Sequence, residues 1–286
     1  MAFFPIAILA LVQGITEFLP ISSSGHLILT RLAMAEAGGL NSGFDMALTQ
    51  NQALAFDVAV HLGTLIAVIV YFRRDVATVI AGCLDVAARR HSPAARLAIN
   101  VAVASLPVGI VGLTAKDMIE NLVRDPAVVL PVIAVATIGF AILLHFADRQ
   151  GARRQARTGP GEIDLKGAVL IGLAQTLALI PGTSRAGVTM TAARALGCAR
   201  VEAARFSMLL SIPAIVGAGL LLGRDVVRAG EFVFGMEAVA AMVLSFLAAL
   251  FAVVALMRWL ARAGFTPFVL YRIALGTALL IWVFVG

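Results

Sequence analysis

The chain has 286 residues, of which 61% are hydrophobic and only 13% are charged, and its formal net charge is +6. Soluble globular domains carry about 25% charged residues, so this composition excludes a soluble enzyme, a disordered chain and a disulfide-stapled secreted domain. The apolar residues form long blocks, which is typical of a polytopic membrane protein. The basic residues cluster in loops without interleaved aromatic residues, which argues against a nucleic-acid partner.

The first element, residues 2–35, is an apolar stretch with a polar interruption, QGITEFLPISSSGH, at residues 13–26. Gln13 and Glu17 are one helical turn apart and share a helix face, and Pro20 ends or bends that helix. A carboxylate in mid-membrane costs roughly 2.5–3.5 kcal/mol, so we expect Glu17 to be functional. The interruption predicts a re-entrant helix-turn-helix that protein or a water-filled cavity surrounds.

A second helix is predicted to begin at the serines of this interruption. Serine is a favoured N-cap, so the helix should begin near Ser22 or Ser23. Ser24, Gly25 and His26 then lie in or near its first turn. Hydroxyl groups and free backbone amides at a helix start form an anion-binding site.

Six uninterrupted apolar segments are long enough to cross a bilayer, which takes about 20 residues. They cover residues 53–72, 98–115, 127–146, 207–223, 236–257 and 268–285. The shorter stretch 76–88 carries Asp85, so we expect an interfacial helix there. Alternate links between the segments are rich in arginine, and the positive-inside rule places these links in the cytoplasm and both termini outside.

A second interrupted apolar stretch, residues 165–196, contains the sequence PGTSRAGVT at residues 181–189. Its proline and glycine break the helix, and Thr183 or Ser184 can cap the next one. Arg185 then falls in the first turn, where the helix dipole disfavours a positive charge. A guanidinium at this place can hold a phosphate bidentately, together with the amides of the helix start.

The two interruptions together supply one acid, one histidine, several hydroxyls and one arginine. This set suits a phosphate or diphosphate whose charge a divalent cation balances. A hydroxyl and a histidine allow nucleophilic attack with general acid–base help, and Arg185 can stabilise the transferring phosphoryl group. A structural ion pair between Arg185 and Glu17 is the alternative, and both roles hold if the pair opens when a ligand arrives.

Each half of the chain combines one broken hairpin with three spans, and this odd number inverts the second half relative to the first. The predicted fold is therefore an all-α membrane protein with an inverted-topology repeat, an architecture common among transporters. The first repeat covers residues 1–147, the second covers 165–286, and 148–164 form a cytoplasmic link. The two hairpins align at three pairs of identical residues: Gln13 with Gln175, Ser22 with Ser184, and Gly25 with Gly187.

The remaining polar residues in apolar surroundings carry weaker predictions. Asp57 and His61 are one helical turn apart and are expected to hydrogen-bond the first hairpin, with lining of the site as the alternative. Gln175 is expected to hydrogen-bond within its own hairpin. Cys83 and Cys198 are solitary, so the sequence implies neither a disulfide nor a zinc site.

These motifs resemble those of the undecaprenyl-diphosphate phosphatase family, also called bacitracin-resistance proteins. Members carry (E/Q)xxxE running into FLPxSS[ST]GH, then F[DE]xxx[QH]LG and PGxSRSxxT, which begin here at Gln13, Phe56 and Pro181. Two positions are notable. Gln13 is the neutral variant of the first motif, which weakens a two-carboxylate metal site, and Ala186 replaces the second serine of SRS, so that hydroxyl is not essential here.

The resemblance implies hydrolysis of undecaprenyl diphosphate to undecaprenyl phosphate and phosphate, which recycles the cell-wall carrier lipid and confers bacitracin resistance. It also implies Mg²⁺ or Ca²⁺, with Glu17 and Gln13 as the predicted metal ligands. The predicted catalytic residues are Glu17, Ser23, His26 and Arg185. The predicted diphosphate-binding residues are Ser22, Ser24, Gly25, Gly182, Thr183, Ser184 and Thr189. Serine, histidine and water all stay open as the attacking nucleophile.

The predicted partners are a polyprenyl diphosphate lipid and the bilayer, and a homodimer is compatible with the sequence. The resemblance implies a protein of the bacterial inner membrane, and the loop charges predict that the site opens to the outer, periplasmic side. A lipid or ion transporter on the same repeat is the alternative function, because fold alone does not decide function. A phosphatidic-acid-type phosphatase, suggested by the run Ser24-Gly25-His26, is set aside because Thr191 stands where that family requires histidine.

Overall fold

The computed structural model describes residues 3–37, 50–115, 118, 125–158, 163–228 and 235–285. Within these ranges all regular secondary structure is helical, and a short 3₁₀ turn, Leu177–Leu179, follows α7. The eleven α-helices of the described residues are α1 (Phe3–Thr16), α2 (Ser23–Ala37), α3 (Gln50–Tyr71), α4 (Arg73–Ala87), α5 (Pro93–Thr114), α6 (Pro126–Thr158), α7 (Leu165–Thr176), α8 (Arg185–Ala195), α9 (Arg200–Arg228), α10 (Met236–Leu260) and α11 (Thr266–Val285).

Five of these helices, α5, α6, α9, α10 and α11, are long and apolar enough to cross a membrane. A sixth span results if α3 and α4 are counted together, although the chain bends by 87° between them. The prediction of an all-helical polytopic membrane protein is therefore confirmed. Because of this bend, α4, which contains most of the predicted interfacial stretch 76–88, runs almost perpendicular to α3.

Both predicted helix breaks are present. The first break lies between α1 and α2, the second lies between α7 and α8, and each ends at a serine with a left-handed φ angle. Ser22 and Ser184 have φ angles of 77° and 70°, and they directly precede α2 and α8. Each serine Oγ accepts a hydrogen bond from the backbone amide three residues later, at 3.4 Å from Gly25 and 3.0 Å from Gly187. Side-chain capping of this kind satisfies amides that the start of a helix leaves unpaired, so the serines fix where α2 and α8 begin.

Small residues allow the broken segments to pack deep among the spans. α1 packs on α10 and α7 packs on α5. A Cβ added at Gly14 would lie 2.6 Å from the carbonyl oxygen of Ser245, and one added at Gly172 would lie 2.6 Å from that of Ala104. Close backbone approach at small residues is the usual way in which membrane helices gain contact.

Two predicted contacts of the hairpins have different outcomes. Arg31 of α2 donates to Asp57 at 2.7 Å, which confirms the expected bond between Asp57 and the first hairpin. The expectation that Gln175 bonds within its own hairpin is wrong, because its Nε2 donates to the carbonyl of Ala104 in α5 at 3.2 Å. The physical reason is the close approach of α7 to α5 at Gly172, which brings this amide against a neighbouring backbone.

The second hairpin is also tied to the end of α6, which runs on into the predicted link 148–164. Asp148 is buried and accepts from Arg194 Nε at 2.9 Å and from Arg200 Nε at 2.8 Å. These bonds join the C-terminal end of α8 and the start of α9 to α6. α8 is therefore held at its start by the Ser184 cap and near its other end by the bond between Arg194 and Asp148.

Candidate active site

The two helix breaks meet at an ion pair. Arg185 Nη2 lies 2.9 Å from Glu17 Oε1, and the side chains are only 15% and 8% exposed. Arg185 is the first residue of α8, and Glu17 directly follows α1. Since an isolated buried charge is costly, each group compensates the other in this arrangement. The ion pair between Arg185 and Glu17, which the sequence offered as the alternative to anion binding by Arg185, is thus present in the structure.

The second carboxylate oxygen of Glu17 accepts hydrogen bonds from a serine hydroxyl and from a glutamine side-chain amide. Ser23 Oγ donates to Glu17 Oε2 at 2.8 Å, and Gln13 Nε2 donates to the same oxygen at 2.9 Å. The distance between Ser23 and Glu17 is in the range of a nucleophile beside its general base. Arg185 and Gln13 keep the carboxylate oriented toward this hydroxyl.

His26 lies three residues after Ser23 in α2 and contacts α11. Its Nδ1 is 2.6 Å from the carbonyl oxygen of Ser22, and its Nε2 is 2.6 Å from the hydroxyl of Tyr271. The two rings stack with centroids 5.6 Å apart. Because a carbonyl oxygen only accepts, Nδ1 carries the proton, and in the neutral ring Nε2 accepts from the tyrosine. Both ring nitrogens are therefore bonded to groups other than Ser23.

The predicted diphosphate-binding residues of the second break form its tight turn. Gly182 has a φ of +92°, and a Cβ there would lie 2.6 Å from the carbonyl oxygen of Ile133, so only glycine fits. Ser184 caps α8 and its Oγ also lies 3.4 Å from the carbonyl of Leu19 in the first break. Thr183 is fully buried. The turn therefore packs directly against the first break.

The other predicted diphosphate-binding residues divide into two groups. Ser22, Ser24 and Gly25 surround the start of α2, and Ser24 is exposed, with its Oγ 3.4 Å from that of Ser22. Thr189 is buried one turn into α8, where its hydroxyl contacts the Ser207 hydroxyl of α9 at 2.7 Å. The Thr189 hydroxyl also donates to the backbone carbonyl of Arg185 at 2.9 Å, so it joins α8 to α9.

Three buried polar atoms of the site lack a hydrogen-bond partner among the described residues: Gln13 Oε1, Thr183 Oγ1 and Arg185 Nη1. Buried polar groups without partners are rare in native proteins and commonly mark a place that a ligand fills. A guanidinium nitrogen and a hydroxyl can donate to phosphate oxygens. The free amide oxygen of Gln13, beside Glu17, fits a cation as a neutral ligand. Within the described ranges no group of three or more His, Cys, Asp or Glu side chains forms a metal site by itself.

Two residues of α11 at this site, Tyr271 and Arg272, were not predicted from the sequence. Tyr271 contacts His26, and Arg272 is fully buried against both helix breaks. The sequence did contain a usable signal, because Arg272 is an ionisable residue inside the apolar segment 268–285. Such residues in a membrane span are functional by default.

Comparison with known proteins places these features in a family. The family model described as bacitracin resistance protein BacA matches residues 6–278. Undecaprenyl-diphosphatase 1 of Rhodospirillum rubrum is 49% identical over 282 residues, which cover 98% of this chain and 95% of that protein. Undecaprenyl-diphosphatase of Alcanivorax borkumensis is 46% identical, with 99% of each chain covered. Undecaprenyl-diphosphatase of Hahella chejuensis is 43% identical, with 100% of each chain covered.

Proposed function

The chain belongs to the bacitracin resistance protein BacA family, and we propose that it hydrolyses undecaprenyl diphosphate to undecaprenyl phosphate and phosphate. The single observation that carries this proposal is the contact of Ser23, Glu17 and Arg185 at the meeting of the two breaks. The names of the full-length relatives favour hydrolysis over the transporter alternative. The activity recycles the carrier lipid of cell-wall synthesis, and this explains resistance to bacitracin.

In the proposed first step, Ser23 Oγ attacks the terminal phosphorus of the diphosphate. Its proton passes to Glu17, which already accepts the Ser23 hydrogen bond at 2.8 Å. The phosphoanhydride bond breaks, and undecaprenyl phosphate leaves with the bridging oxygen. Water then attacks the phosphorus of the phosphoserine, the bond between phosphorus and Ser23 Oγ breaks, phosphate leaves, and Glu17 returns the proton to Ser23 Oγ. We assign activation of this water to His26, once Nε2 is released by Tyr271.

Arg185 has two tasks in this proposal. Without substrate it neutralises Glu17, and with substrate it turns toward the phosphoryl oxygens, together with the amides at the starts of α2 and α8. The unpartnered Nη1 of Arg185 and the unpartnered Thr183 hydroxyl support this role. Positive charge at the transferring phosphoryl group stabilises the transition state.

A divalent cation, Mg²⁺ or Ca²⁺, would bind at Glu17 and the free Gln13 oxygen and would neutralise charge on the diphosphate oxygens. Glu17 accepts from three donors in this structure, namely Gln13, Ser23 and Arg185. When Arg185 turns to the substrate, Glu17 Oε1 loses this donor and becomes free to bind the cation. We propose that cation and substrate bind together.

We further propose that the two halves form an inverted repeat in the bacterial inner membrane, with the site open to the periplasm. Three matched features support the repeat: the left-handed cap serines Ser22 and Ser184, the packing of α1 on α10 and of α7 on α5, and the buried, unpartnered oxygens of Gln13 and Gln175. The arginine-rich links support the orientation. In this orientation the polyprenyl tail of the substrate stays in the bilayer. We also propose that the protein assembles as a homodimer.

The test is phosphate release from undecaprenyl diphosphate by the purified protein in detergent. We expect release by the wild type, a loss of about 100-fold or more in Ser23→Ala, and little change in Ser105→Ala, which removes a hydroxyl bonded to the carbonyl of Val101 within α5. No release by folded wild-type protein would contradict the proposed function. Full activity of Ser23→Ala would remove serine as the nucleophile.

A further inference from the structure

Arg272 is a fully buried guanidinium that joins three parts of the molecule. Its Nη1 donates to the carbonyl of Pro20 in the first break at 3.1 Å. Its Nη2 donates to the carbonyls of Gly182 and Thr183 in the second break, both at 3.0 Å. Its Nε donates to the carbonyl of Thr137 in α6 at 3.1 Å. One side chain of α11 thus holds both breaks at once.

The acceptors of Arg272 are all neutral. Within the described part of the chain, no Asp or Glu forms an ion pair with it, although its side chain is 0% exposed. Burial of an unpaired charge is expensive, and carbonyl dipoles offset only part of that cost. An apolar side chain at this position would leave the carbonyls of Pro20 and Thr183 without this donor. The arginine therefore satisfies these carbonyls and fixes their positions at the same time.

The planar fork of the guanidinium matches the geometry of the two breaks. Nη1 and Nη2 point to different breaks, and Pro20 and Thr183 are each within three residues of the ion-paired Glu17 and Arg185. The site leaves space for this fork, because a Cβ at Gly187 would lie 2.9 Å from Arg272 Nη1. A lysine has no fork and cannot reproduce this set of directed bonds.

We infer that Arg272 is a positioning residue, which sets the separation of the two breaks and thereby places Arg185 against Glu17 and Ser23. This inference rests on the proposed phosphatase function for its kinetic consequences. Its geometric consequence, the contact between the breaks, is independent of that function. A misplacement of about 1 Å at a reacting centre can cost roughly 100-fold in rate, so loss of the fork should be visible in kcat.

The kinetic test is a double-mutant cycle with Arg272→Lys and Arg185→Lys. Arg272→Lys keeps the charge and should lower kcat about 10-fold or more with little change in KM, since it alters placement rather than substrate contact. In the Arg185→Lys background the same change should cost less than about threefold, because it acts through Arg185. The matched control is Arg258→Lys at the exposed end of α10, with wild-type kcat expected.

The geometric test uses hydrogen–deuterium exchange of the backbone amides at the starts of α2 and α8. The amides of Gly25 and Gly187 donate to the capping serines at 3.4 Å and 3.0 Å, next to the carbonyls that Arg272 binds. Arg272→Lys should speed the exchange of these amides severalfold, whereas Arg258→Lys should leave it unchanged. An inactive wild type would contradict the proposed function and leave this readout intact. Unchanged kcat in Arg272→Lys, additive losses in the cycle, or unchanged exchange of these amides would each overturn the inference.

Discussion

Glu17 and Arg185 are 168 positions apart in the chain, yet their side chains form a 2.9 Å ion pair between two helix breaks. Each break alone supplies an incomplete site. The first contributes the carboxylate and Ser23, and the second contributes the guanidinium and the amides at the start of α8. The proposed chemistry therefore depends on contact between the two halves of the chain.

Replacement of Arg185 by lysine should show that its fork is needed. Lysine keeps the positive charge but loses the bidentate contact with a phosphoryl group, so we expect the rate of phosphate release to fall about 100-fold. Thermal unfolding in detergent should change little, because the ion pair with Glu17 can reform. Wild-type turnover in this variant would exclude phosphoryl binding by Arg185.

Replacement of Gln13 by glutamate should tighten metal binding. The neutral Gln13 oxygen gives a cation a ligand without charge, and Glu17 is occupied by three donors. We therefore expect weak binding of Ca²⁺ or Mg²⁺ to the substrate-free wild type by calorimetry, and stronger binding to Gln13→Glu. Stoichiometric tight binding to the substrate-free wild type would contradict this view of the site.

The two cysteines should differ in reactivity. Cys83 is exposed, whereas Cys198 is buried, and burial raises the pKa of the Cys198 thiol. Since the thiolate is the reactive form, N-ethylmaleimide at pH 7.5 should modify Cys198 at least about 10-fold more slowly than Cys83. Mass spectrometry of single-cysteine variants measures both rates. Equal rates would show that the region around Cys198 opens to solvent.

The membrane orientation can be tested with two new cysteines in protein that lacks Cys83 and Cys198. Asp125 precedes α6 and Ala152 lies near its other end, and both are exposed. An impermeant thiol reagent applied to intact spheroplasts should label Asp125→Cys and spare Ala152→Cys. Labelling of Ala152→Cys alone would invert the proposed topology.

The two breaks were predictable from the sequence because proline, glycine and capping serines act locally. A pairing of Glu17 with Arg185 was the alternative to an anion-binding role of Arg185, and the structure contains it because burying either charge alone is costly. The contacts of Gln175 and Arg272 were not predictable, since they depend on which neighbouring backbone comes within reach. Gln175 bonds to α5 because Gly172 lets that helix approach, and Arg272 bonds to carbonyls that exist only where two turns meet.

The most direct test of the account compares phosphate release from undecaprenyl diphosphate by the wild type and by Glu17→Gln, purified in the same detergent. Glutamine keeps the size of the side chain but removes the proposed base beside Ser23 and the charge opposite Arg185. We expect release to fall by about 100-fold or more, while Glu237→Gln, which changes an exposed carboxylate at the start of α10, keeps wild-type activity. Wild-type release by folded Glu17→Gln would contradict the assignment of the active site to the meeting of the two helix breaks.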